Sequence, residues 1–242
     1  MKYPFLENNE LILIDYMPGS SGQLLLRLWS ELDNKLNYNN DKLLSDNTIT
    51  DHPASREVDY DIKIPKRIVN WFLDKSNPTD VYDYVQFFEY LAVGLVAQSQ
   101  KWIPGTQSKK FYDGNNYTMN DMRVLYGMHT WGAIIPYAEM QALGYNITCI
   151  SIVPKTKDGM HYQYNRFQAC YPSPREQIVK CCSEFNNKHQ DEIDFCTLLV
   201  RKDTNAILNW FKHKIGDNFR NEKVNHVVTI LDQYYVNIVD KI

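Results

Sequence analysis

The sequence predicts an α/β fold with a mostly parallel sheet flanked by helices. Three observations predict it. An apolar run at 11–15 passes through a small-residue turn into a segment with helical spacing. A β-branched, apolar run at 146–153 (NITCISIV) reads as a buried strand, stopped by Pro154. Between and after these runs, strand and helix signals alternate, as in βαβ chains.

The elements follow in order. Residues 11–15 suit a buried parallel strand. Residues 23–36 carry Leu24, Leu25, Leu28 and Leu32 at the spacing of one helix face. Residues 37–61 are polar and irregular, and a surface excursion is expected there. Pro65 suits a helix start, with Ile68, Val69, Phe72 and Leu73 inward. A further helix begins at Asn77-Pro78-Thr79-Asp80 and runs to about Gln100, facing inward with Val81, Val85, Phe88, Leu91, Ala92 and Val96. Gly114-Asn115-Asn116 is a turn. Residues 123–129 read as a second strand, and 136–143 as a short helix closed by Gly144. Ser173-Pro174-Arg175-Glu176 has the form of a capping box. Asp203 opens a helix with Ile207, Leu208, Phe211 and Ile215, ended by Gly216. The β-branched stretch 224–236 is read as one or two closing strands. The whole, 1–242, is taken as a single α/β domain with an irregular and helical insertion near 37–120.

Composition excludes several classes. Hydrophobic residues make up 44% and charged residues 23%, as in globular chains, which argues against disorder and against a multi-span membrane protein. The net charge of -3 gives no strong nucleic-acid signal. The five cysteines include the adjacent pair Cys181 and Cys182 and no C-x-x-C pair, so reduced thiols are expected. The N-terminus lacks a secretory signal pattern, and no membrane span is expected. The location predicted is cytoplasmic or virion-associated. The six histidines form no H-E-x-x-H or H-x-H pair, and no cysteine spacing suits zinc, so no metal is predicted. The acidic run at 191–194 reads as a solvated loop. Abundant Asn, Lys, Ile and Tyr fit AT-rich coding, as in viruses or streamlined bacteria.

The chemistry concentrates at Pro18, Gly19, Ser20, Ser21, Gly22 and Gln23. A parallel strand ending in a glycine turn that opens a helix gathers backbone N–H groups at the positive end of the helix, a natural phosphate or sulfate site. The Walker A pattern is not met: Gln23 and Leu24 stand where Lys and Ser/Thr belong. The G-x-G-x-x-G fingerprint of dinucleotide folds is absent as well.

The segment LILIDYMPGSSGQLLLRLWSEL resembles the phosphosulfate loop of sulfotransferases and related P-loop proteins, including sulfotransferase-like proteins encoded by phages. Those loops usually carry a Lys or Arg beside the proline and Ser/Thr at the helix start, where this chain has Gly19 and Gln23. The resemblance implies a P-loop-like three-layer architecture. It also implies a transferase whose donor is 3'-phosphoadenylyl sulfate or a related adenine nucleotide, held at Pro18–Gln23 and by Lys155 and Lys157 after the strand at 146–153. His129, beside Thr130 at the end of the second strand, would take the acceptor's proton, and Arg166 would steady the transferring group. The acceptor, small molecule or macromolecule, is not specified. The alternative is a non-enzymatic virion or assembly protein that retains a degenerate P-loop-like fold and works through a protein partner or a second copy of itself.

Overall fold

The computed structural model describes residues 4–35, 80–99, 123–128, 135–170, 173–186 and 192–241. The excursion at 37–61, the helix after Pro65, the turn at 114–116 and the residues His129 and Thr130 lie outside the described residues.

The fold is α/β: four parallel strands in the order β2-β1-β3-β4, flanked by helices. They are β1 (Glu10–Tyr16), β2 (Arg123–Met128), β3 (Ile147–Ile152) and β4 (Glu192–Ile193). The chain divides into two compact units, one drawn from 1–13 and 36–149, the other from 14–35 and 150–242. β1 and β3 thus each give their first half to one unit and their second half to the other.

In the first unit, α1 (Pro4–Asn8) opens on a proline, whose fixed φ suits a first helical position. α3 (Val81–Ser99) supplies Tyr84, Val85, Phe88 and Ala92 to a core shared with Phe5, Leu6, Leu11, Leu13, Val124 and Ile147. The same helix buries Glu89, whose carboxylate accepts the Phe5 and Leu6 amides, each at 2.9 Å, and so caps α1. Arg123 at the start of β2 pairs with Glu10 of β1 at 2.7 Å. α4 (Tyr137–Ala142) ends at Gly144, whose φ of +89 is the left-handed stop expected of that glycine.

In the second unit, α2 (Gly22–Leu32) buries Leu24, Leu25, Leu28 and Leu32, the predicted stripe, together with Leu26 and Trp29. It stops short of residue 36 because Asp33 turns extended and bridges to Phe219, while its carboxylate takes the Trp29 indole N–H at 3.0 Å. α5 (Lys157–Cys170) follows β3, and α6 (Arg175–Asn186) and α7 (Phe195–Val200) pack against it. α8 (Thr204–Ile215) and α9 (Val224–Asn237) pack against α2. Asp194 and Asp203 cap α7 and α8 by accepting the Thr197 and Ala206 amides at 3.3 and 3.0 Å. Asp203→Ala should cost about 1 kcal/mol, as loss of an N-cap does; a urea midpoint equal to that of the parent would contradict this.

Three readings of the sequence are corrected. Residues 224–236 are helical, not strands. Their buried members Val227, Ile230, Leu231, Tyr234 and Tyr235 fall at i, i+3, i+4, i+7 and i+8, and this face outweighs the β propensity of Val and Ile. The acidic run is not a plain loop: Glu192 and Ile193 form β4, paired in parallel with Ser151 and Ile152, and Asp194 is a cap. Finally, 157–170 is a helix, which the sequence reading did not anticipate. Much of its surface is polar, and one of its buried positions is Gln163. Among the described residues Cys149, Cys181, Cys182 and Cys196 form no disulfide with one another.

Candidate functional site

The strand order reverses direction at β1: the chain goes from β1 to β2 on one side and returns to β3 on the other. Such a switch point opens a crevice beyond the carboxyl ends of the strands, where α/β proteins seat ligands. The loop from Met17 to Gly22 begins there, in the second unit.

The local sequence dictates its course. Pro18 and Gly19 make a turn closed by the Ser20 amide on the Met17 carbonyl at 3.1 Å, with Gly19 at φ +85. Ser21 follows at φ 60, ψ 31, also left-handed, and Gly22 starts α2. Both glycines are set by close approach. A Cβ on Gly19 would run into the backbone of α5 at Gln163 and Phe167, and one on Gly22 into the ring of Tyr16.

The loop is buried: Met17, Ser20 and Ser21 are 1%, 0% and 8% exposed. Its polar groups are engaged by the second unit itself. The Gln163 side-chain amide donates to Ser20 Oγ. Ser21 Oγ lies 2.8 Å from Tyr162 Oη and 2.7 Å from Tyr234 Oη, and the two phenols are 2.8 Å apart. The Cys196 thiol donates to the Ser20 carbonyl at 3.8 Å. Burial raises the pKa of Tyr162, Tyr234 and Cys196, so all three stay protonated donors at neutral pH. The Arg166 guanidinium acts electrostatically on Tyr234. Arg166 Nε and Gln163 Oε1 are buried, with no hydrogen-bond partner among the described residues.

Of the predicted site residues, Pro18, Gly19, Ser20, Ser21, Gly22 and Gln23 form this joint, and Arg166 stands near its tyrosines. Lys155 is instead exposed and paired with Glu192 at 2.9 Å, and Lys157 is exposed at the first position of α5. His129 lies outside the described residues, and the described histidines His161, His213 and His226 are exposed. Among the described residues no group of three metal-ligating side chains occurs. Gln163, Tyr162, Tyr234 and Cys196 were missed as loop partners. For Tyr162 and Gln163 the local sequence offers no signal, because 157–170 does not read as a helix. Tyr234 could be found only by reading 224–236 as a helix.

The fold and the site together define a parallel α/β protein with a closed strand–loop–helix joint at its switch point. Comparison of the chain with protein-family models, with curated proteins and with solved structures finds no match.

Proposed function

We propose that the chain is a binding or assembly protein in which the loop at 17–23 serves as an internal joint and does not hold a nucleotide. The observation that supports this is the engagement of the loop's hydroxyls: Ser20 by Gln163, and Ser21 by Tyr162 and Tyr234. A donor phosphate entering over α2 would have to displace these contacts, and Lys155 is already paired elsewhere. The partner is another protein or a second copy of the chain. Among the described residues no helix is long and apolar enough to cross a membrane.

A sulfotransferase-like transferase is the second reading. The loop's place at the switch point favours it, as does Arg166 Nε near Tyr234, buried and unpartnered among the described residues, a cation for a transferring sulfuryl or phosphoryl group. Backbone N–H groups of Ser21–Gln23 would then face the donor's phosphate, and a 3'-phosphoadenylyl sulfate-type nucleotide would supply the group transferred.

Thermal melts with adenosine 3',5'-bisphosphate, ATP and sulfate separate the two. The internal-joint reading expects no shift at millimolar ligand. A ligand at 100 times its dissociation constant adds about 2.7 kcal/mol, so binding would be plain to see. A rise with the bisphosphate alone would overturn the joint in favour of the transferase. Gly22→Val, the natural loop knockout, is a poor control, because its side chain would collide with Tyr16 whether or not a ligand binds.

A further inference from the structure

Ser21 stands at the N-cap position of α2 yet does not cap it. A serine there ordinarily offers its oxygen to the amide of the second or third helical residue. Here the side chain makes no such bond, and the backbone sits at φ 60, a region that L residues avoid. The hydroxyl is spent instead in a ring of three, with Tyr162 from α5 and Tyr234 from α9. Three hydroxyls carry three protons, so each donates once and accepts once around the ring, and no outside partner is needed. One residue before Ser21, the Ser20 carbonyl takes the fully buried Cys196 thiol of α7.

We propose that α9 is a latch on the loop: Tyr234, with Tyr162, holds Ser21 in its left-handed, non-capping conformation and so keeps the loop at 17–22 closed. Strained residues persist where their surroundings over-determine them, and the hydroxyl ring is the local restraint visible here. Once the ring is broken, Ser21 relaxes toward an ordinary cap, the Ser20 carbonyl moves off Cys196, and that thiol becomes reachable. The inference rests on the closed-loop reading and deepens it, because it names what does the closing.

The test is the rate of Cys196 alkylation by N-ethylmaleimide, followed by peptide mapping, with the buried thiol of Cys182 on α6 as internal control. Tyr234→Phe, which removes one oxygen, should accelerate Cys196 at least tenfold and leave Cys182 unchanged. Tyr162→Phe breaks the same ring from α5 and should do likewise, so the test survives if one variant folds poorly. Adding Ser21→Gly to Tyr234→Phe should restore slow labelling, since glycine holds φ 60 without restraint. A change below twofold in the phenylalanine variants would overturn the latch. A parallel rise of Cys182 would overturn it too, as the ring would then be general fold stabilisation. Failure of the glycine to rescue would overturn it as well, because the latch acts by holding Ser21 in its left-handed conformation. Thermal shift of the parent chain with adenosine 3',5'-bisphosphate is read separately, and a rise there would sink the closed-loop reading itself.

Discussion

Gly19→Ala should destabilise the second unit by about 3 kcal/mol, the sum of two costs. A residue with a Cβ at φ +85 loses roughly 1 kcal/mol to its own backbone. The Cβ would also lie 2.5 Å from the Phe167 amide nitrogen and as close to the Gln163 carbonyl. These are backbone atoms of α5, so no rotamer change makes room, and overpacking of this kind costs about 1–3 kcal/mol. Gly144→Ala is the matched control. Its φ is +89, but nothing lies within 4 Å of the added carbon, so it should lose only the conformational part, about 1 kcal/mol. Urea unfolding of both variants at constant slope measures the difference. Equal losses would mean that α5 does not press on the loop as described.

Glu89 should make the stability of the first unit fall as pH rises from about 4.5 to about 7. Glu89 is 3% exposed. Burial lifts its pKa from 4.5 to about 7, against the two amide hydrogen bonds from Leu6 and Phe5 that favour the ionised form, and the nearby Glu7 adds to the rise. The sign follows from linkage. The folded form holds the proton more tightly than the unfolded chain, so the contribution is full below 4.5 and is lost as pH passes about 7. At 1.36 kcal/mol per pH unit, the loss is on the order of 3 kcal/mol. Urea midpoints of the parent and of Glu89→Gln across pH 4.5–8 test this. The parent should show the slope and the glutamine variant a much flatter line; identical slopes would place the titration elsewhere.

Much of the fold was legible wherever a segment's own spacing settled its state. The run at 11–15, the leucines of α2, the β-branched run of β3 and the glycine at 144 each carry a local signal that packing reinforces. Local signals failed where two of them conflict. Residues 224–236 have strand-forming side chains on a helical period, and the period prevails because it is the period that selects which residues α8 and α2 can bury. α5 failed for the opposite reason: its apolar stripe is thin, and a buried glutamine interrupts it because Ser20 supplies the partner. The candidate site divided the same way. Pro18-Gly19-Ser20-Ser21-Gly22 marks a tight strand-to-helix loop on its face, while its partners come from residues some 140 to 210 positions away.

The sequence by itself determined the α/β class, the place of the glycine loop between β1 and α2, and the absence of the Walker A lysine, because these depend on residue type and short-range spacing. Only the tertiary structure decided what the loop faces. Whether a hydroxyl meets solvent, a ligand or another side chain depends on which distant helix packs over it, and neither Tyr162 nor Tyr234 carries a mark of that contact in its own neighbourhood.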